Sequence, residues 1–251
     1  MTSNQTSTWA FQKIIDKAAY DISASSNTDL NRIEDYIRHN AFLATILLDS
    51  GGTPCHIGDA QRRFNKAFGK YHATEMRKQC LSNGKVTRRN KKLQPLAFMA
   101  FDIEGTRHNG FNTVTAHPHG HGAVIFHERT LANFEDANKE FLTLEGGYKI
   151  SNPTPGISLV DLKPVNSFED LARFLTYSLK LEGKLKNNDT NYAPYDFYPA
   201  WSVDFPFWSF RAPVPALSPL PPNTTRGATN EGERIWSLHS EDCHQCRPDR
   251  S

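Results

Sequence analysis

The sequence predicts an α+β protein with a mainly antiparallel central sheet, flanking helices and a helical N-terminal extension. Three observations predict it. Helical spacing of apolar residues dominates the first 84 positions, whereas two strand-length apolar runs, Leu96–Glu104 and Thr113–His127, follow each other across a glycine turn. A helix, a strand and a second helix then complete a β–β–α–β–α unit. Hydrophobic residues make up 38% of the 251 and aromatics 11%, which is enough for a core and excludes wholesale disorder.

In chain order, residues 1–7 are polar and expected to be disordered. Phe11, Ile14, Ile15, Ala18 and Ile22 trace a helix from Trp9 to about Ala24, with Thr8 as its N-cap. A stronger helix is predicted over Asp29–Asp49, where Leu30, Ile33, Ile37, Ala41, Ala44 and Leu48 fall near the 3.6 period, and the Ser50–Pro54 turn ends it. Asp59 can cap a third helix running to about Leu81, carrying Phe64, Phe68, Tyr71 and Met76. Residues 1–84 thus read as a helical N-terminal region, and residues 85–210 as the domain holding the sheet. Within it, Leu96–Glu104 is a strand, Gly105–Gly110 a turn, Leu131–Leu144 a helix broken by Gly146-Gly147, and Ile157–Val165 a strand. Ser167 opens the last helix, to about Lys186, with Asp170 where a capping box carries Glu or Gln. Residues 211–251 are Pro-rich and expected to form a disordered tail.

The chemistry concentrates in Thr113–His127. Side chains two apart on a strand share a face, so His117, His119 and His121 project together. Neutral imidazole is the commonest metal ligand, and a strand backbone fixes the spacing of such a pair. On the preceding strand Asp102 and Glu104 share one face, while Met99, Phe101 and Ile103 share the other. Pairing of the two strands would let a carboxylate complete a His/His/acid site, with Glu104 the preferred ligand and Asp102 in a supporting place. Oxygen and nitrogen donors without a thiolate suit Mg²⁺ or Mn²⁺. On the last helix Tyr177 and Lys180 stand at i and i+3, hence on one face. A deprotonated tyrosine can act as a covalent nucleophile, and a neighbouring lysine favours the phenolate and offsets phosphate charge.

Net charge is only +2, yet Lys85–Lys92 packs five cations into eight residues, the footprint of a phosphate-binding loop built on Arg88, Arg89, Lys91 and Lys92. No stretch approaches the ~18 apolar residues of a membrane span. The N-terminus lacks the build of a secretory signal, and four scattered cysteines make no disulfide framework, so a cytoplasmic protein is expected.

An acid-bearing apolar strand (PLAFMAFDIEGT), then Pro-His-x-His on a strand (HPHGHGAVIF), then a strand and helix ending in Tyr-x-x-Lys (ISLVDLKPVNSFEDLARFLTYSLK) come in the order found in the HUH endonucleases. Over about residues 60–186 the chain resembles the single-tyrosine rolling-circle replication initiators of plasmids and small phages. The resemblance implies an HUH nuclease domain with a ferredoxin-like palm, His119 and His121 as metal ligands with Glu104 a third, and His117 behind them. It implies that Tyr177 attacks a DNA phosphate, leaving a 5′-phosphotyrosyl link and a free 3′-hydroxyl, with Lys180 stabilising charge. The residue between the paired histidines, bulky and hydrophobic in that family, is Gly120 here. No phosphate-binding Gly-x-x-x-x-Gly-Lys-Ser/Thr loop is present, so unwinding of origin DNA would fall to a host helicase.

Two other readings compete. Phe101–Thr106 also looks like the first motif of DEDD-type 3′-5′ exonucleases, and Tyr192-Ala-Pro-Tyr-Asp196 has their Tyr-x-x-x-Asp spacing, although Pro194 sits where that motif needs a helix. A non-catalytic DNA-binding protein on a decayed nuclease scaffold is the other, with Gly120 in its favour. Trp201, Phe205, Phe207, Trp208 and Phe210 can stack bases or pack a core, the latter being the commoner fate. Cys243-His-Gln-Cys246 with His239 is a weak zinc pattern.

Overall fold

In a computed structural model, residues 3–22, 30–49, 57–81, 84–103, 118–185, 194–200 and 205–209 are described. The protein is α+β, and among the described residues six strands form one antiparallel sheet in the order β4-β5-β1-β3-β2-β6. These are β1 (Ala41–Leu48), β2 (Leu96–Ile103), β3 (Pro118–Ile125), β4 (Tyr148–Thr154), β5 (Ile157–Pro164) and β6 (Tyr195–Tyr198). The helices are α1 (Ser3–Asp21), α2 (Leu30–Asn40), α3 (Ile57–Tyr71), α4 (Arg77–Cys80), α5 (Glu128–Ala137), α6 (Phe168–Ser178), α7 (Lys180–Leu185) and α8 (Pro206–Ser209). A π turn, His72–Met76, joins α3 to α4. Among the described residues no helix is long and apolar enough to cross a membrane.

Strand alternation sorts the side chains into two cores. Ala97, Met99, Phe101 and Ile103 of β2 join Phe64, Phe68 and Tyr71 of α3 and Phe134 of α5 on one face. Leu96, Phe98 and Ala100 face the other way, toward Phe11, Ile14 and Ile15 of α1, Ile33 and Ile37 of α2, and Leu171 and Leu175 of α6. The predicted division of β2 into two faces therefore holds, and helices cover the sheet from both sides.

Several elements differ from the reading of the sequence. The helix expected over Asp29–Asp49 stops at Asn40, and Ala41–Leu48 is β1, which lies between β3 and β5. AFLATILL fits both periods. Its pairing on two sides decides for strand, with Phe42, Ala44, Ile46 and Leu48 buried and Leu43, Thr45 and Leu47 less so. Asn40 marks the switch: its side chain donates to Tyr36 O (2.9 Å) while its carbonyl accepts from Phe126 N–H (2.8 Å). At the N-terminus the helix begins at Ser3, not after Thr8, and Thr6 and Ser7 are buried. Thr6 Oγ1 donates to Glu182 Oε1 at 3.0 Å, a tertiary contact that composition cannot reveal.

The edge strands β4 and β6 were not anticipated. Tyr148–Thr154 pairs with β5 through a tight connection in which Gly156 adopts φ 98°, and its amide donates to Asp49 Oδ2 (2.9 Å). Tyr195–Tyr198 adds to β2. The third helix begins at Ile57, so that Asp59 lies in its first turn instead of capping it. It ends at Tyr71, the π turn and α4 carrying the chain on to Cys80. The Ser167 cap is present as expected, its hydroxyl accepting from Asp170 N–H at 3.1 Å. The helix expected over 131–144 runs from Glu128 to Ala137, and a 3₁₀ turn, Lys139–Phe141, follows it. The expected tail, 211–251, lies outside the described residues.

Candidate active site

Strands β2 and β3 pair with Asp102 opposite His119 and Ala100 opposite His121. Directly opposed residues project to the same side, so the carboxylate and both imidazoles stand on the face covered by α1 and α6. His119 Nε2 lies 3.4 Å and His121 Nε2 3.9 Å from Asp102 Oδ2. One ligand atom from each of these residues falls within 4.8 Å of the others. Two donors bound to one ion at ~2.1 Å stand ~3.4 Å apart at a tetrahedral angle, so these three side chains could close on a small dication.

Electrostatics prepare the same group. Burial pushes the Asp102 carboxyl up, but the hydrogen bond and charge of His119 and the charge of Lys180 outweigh it, holding the group down at about 2. Burial pushes His121 down to about 3; His119 and Lys180 add to this and Asp102 opposes it. At neutral pH an anionic carboxylate therefore faces a neutral imidazole, the protonation states that metal ligation requires. Thr45 Oγ1 lies 3.1 Å from His121 Nδ1. With the proton on Nδ1 donated to Thr45, the Nε2 lone pair is directed at the ligand cluster. The second Asp102 oxygen, Oδ1, accepts from Ile103 N–H (2.9 Å), which leaves Oδ2 as the atom facing the histidines.

Tyr177 and Lys180 come to this group from the helical layer. α6 packs across β3 and β2, placing the Tyr177 ring 5.4 Å from that of His121. The expected continuous helix is interrupted: α6 ends at Ser178, Leu179 takes φ −93°, ψ 12°, and Lys180 opens α7. The pair still meets, since Lys180 Nζ donates to Tyr177 Oη at 3.1 Å. The same ammonium lies 2.5 Å from Asp102 Oδ2. A chain of contacts thus runs from Tyr177 Oη through Lys180 Nζ and Asp102 Oδ2 to both histidines.

Gly120 has a packing reason. A Cβ built there would stand 2.0 Å from Phe64 Cζ, so the α3 phenyl ring occupies the space a side chain between the histidines would fill. The ring supplies the bulk from outside the strand, and Gly120 is what admits it.

Other expected residues fare differently. The geometry moves Asp102 from a supporting place into the ligand group, because strand alternation could not rank two acids on one face; Glu104 and His117 lie outside the described residues. Arg88, Arg89, Lys91 and Lys92 precede β2 at Leu96, and Asp102 lies six residues farther along that strand, ~20 Å at the strand rise. Phe207 and Trp208 are buried beside Phe197 and α1, as core rather than as a stacking platform. Phe205 is half-buried, and Trp201 and Phe210 lie outside the described residues, as do His239, Cys243 and Cys246. Asp196 pairs with Met99 and so lies on the sheet face opposite Asp102. Sequence reasoning missed Thr45, because β1 was read as helix, and the space-filling role of Phe64. The chain matches no protein-family model, no curated protein and no solved structure.

Proposed function

We propose that the protein is a metal-dependent, single-tyrosine DNA nicking and joining enzyme that initiates rolling-circle replication. The observation that carries this reading is the tether from Tyr177 Oη through Lys180 to Asp102, His119 and His121. A nucleophile, a cation and a dication-sized ligand group stand side by side, an arrangement suited to phosphoryl transfer. Bound Mg²⁺ or Mn²⁺ would polarise the scissile phosphate and screen its charge. Asp102, His119 and His121 would hold it, and His121 would be kept in orientation by Thr45.

Tyr177 Oη attacks phosphorus in line, forming the O–P bond as the bond to the 3′ oxygen breaks. The phenol gives up one proton and the departing 3′ oxygen gains one, so the strand ends as a 5′-phosphotyrosine and a 3′-hydroxyl. Attack by a 3′-hydroxyl reverses the step and rejoins the strand. Lys180 stabilises the phenolate and the charge gathering on the phosphoryl oxygens. The substrate is single-stranded or extruded origin DNA, and a host helicase is the partner that unwinds it.

The exonuclease reading has less support, because Asp196 lies across the sheet from Asp102 and cannot share an ion with it. The decayed-scaffold reading loses its main argument once Phe64 accounts for Gly120. The test is incubation of wild type and Tyr177→Phe with single-stranded oligonucleotides, the element's own origin included, and Mn²⁺. A denaturation-resistant protein–DNA adduct is expected from wild type and not from the variant. Shortened DNA without an adduct would point to an exonuclease, and binding without cleavage to a non-catalytic protein.

A further inference from the structure

The position of Lys180 carries an inference about how the metal site is kept before metal arrives. Asp102 is fully buried and its Oδ2 faces three groups: His119 Nε2 at 3.4 Å, His121 Nε2 at 3.9 Å and Lys180 Nζ at 2.5 Å. A dication held by Asp102 and the two histidines would bind that same oxygen at ~2.1 Å. The ammonium and the dication would then share one oxygen at contact distance in a buried setting, where like charges repel strongly. Both cannot stay.

Lys180 is built to leave. It is the first residue of α7, beyond the Leu179 break, and its side chain retains 23% exposure where Asp102 has none. Its other partner, Tyr177 Oη at 3.1 Å, remains within reach of a long flexible side chain.

We infer that Lys180 is an internal counter-ion for the empty metal site: its ammonium occupies Asp102 Oδ2 until a divalent cation displaces it toward the Tyr177 hydroxyl. Two consequences follow from this exchange. An anionic carboxylate is never left buried without a positive partner, so the site is stable when empty. Arrival of the metal also releases the ammonium to the nucleophile, so Lys180 serves the phenolate only when the phosphate-polarising ion is in place. The inference rests on the proposed metal site but not on the DNA chemistry.

The test is calorimetric titration of Mn²⁺ into the full chain as wild type, Lys180→Met and Lys180→Gln, without DNA. Removing the competitor is expected to tighten Mn²⁺ binding at least tenfold in both variants, and Asp102→Asn is expected to abolish the difference. Thermal melts give a second readout, in which Mn²⁺ raises the midpoint more in Lys180→Met than in wild type. If the variant does not fold without metal, refolding with Mn²⁺ must rescue it. Unchanged or weaker Mn²⁺ binding in the variants, or no rescue, would overturn the counter-ion role while leaving the metal site standing. Absence of binding to every protein would remove the metal site and this inference together, whatever the adduct assay shows.

Discussion

Two lysine–carboxylate–tyrosine groups, each with a buried carboxylate, lie on the same side of the sheet, and they are opposites in character. Lys17 and Asp21 are four residues apart on α1, with no side-chain exposure, and Tyr36 Oη donates to Asp21 Oδ2 at 3.1 Å. Lys180, Asp102 and Tyr177 come from α7, β2 and α6. At Asp21 burial dominates: it pushes the carboxyl up against the pull of Lys17 and Tyr36, and it pushes Lys17 down against Asp21. At Asp102 the cations dominate and the carboxyl falls to about 2. In the first group burial outweighs the mutual attraction of the pair, whereas the second is an anion ringed by donors. Among the described residues, Asp102 with His119 and His121 is the group whose ligand atoms approach closely enough to hold one ion. A buried ion pair is therefore weak evidence of function, and what distinguishes a site is the set of further ligands converging on the same oxygen.

The sharpest way to break this comparison is to neutralise each carboxylate. Asp21→Asn leaves Lys17 buried against the Phe207 ring without its anion and is expected to cost ~3–5 kcal/mol of stability while Mn²⁺ affinity stays unchanged. Asp102→Asn is expected to weaken Mn²⁺ binding by ~100-fold or more, with the smaller loss of stability. Denaturant melts and Mn²⁺ titrations on both variants check this, and equal effects on metal binding would erase the distinction.

From the other face of β3, Phe64→Ala is expected to cost ~3–5 kcal/mol, and Gly120→Val a similar amount through its clash with the ring. Made together, they should cost less than the sum, which a double-mutant cycle in urea would show; strict additivity would mean that Phe64 does not stand in for a side chain at 120.

Acid sensitivity should also arise away from both groups. His72 is buried with Nε2 3.0 Å from Pro95 O. Burial, with Arg77 adding and the Pro95 contact opposing, depresses it from 6.5 to about 4. The unfolded chain therefore takes up this proton first, so the stability His72 contributes is whole above pH 6.5 and lost as pH falls toward 4. The loss amounts to about 3 kcal/mol. His72→Gln is expected to flatten the melting-temperature profile over that interval, whereas a lysine–carboxylate origin would leave it unchanged.

The smallest effect belongs to Thr45→Val, which removes the hydroxyl beside His121 Nδ1 and should weaken Mn²⁺ binding ~10-fold with little change in melting temperature. Thr45→Ser should keep most of the affinity.

By itself the sequence determined the local periods: which β2 residues share a face, that His119 and His121 project together, that Ser167 caps the Tyr177 helix, and that the sheet is antiparallel. These depend on spacing and on side chains near in the chain. Tertiary structure alone decided the rest. Ala41–Leu48 satisfies both helical and strand periods, and only neighbours on two sides make it β1. The edge strands β4 and β6 owe their identity to the strands beside them. Asp102 was raised over its expected place because strand register, a long-range property, set it opposite His119. Lys180, the first residue of α7 after the Leu179 break, meets Asp102 of β2 across 78 positions of sequence. Contacts between distant segments balance burial against charge at the level of single atoms, and no window of neighbouring residues contains that balance.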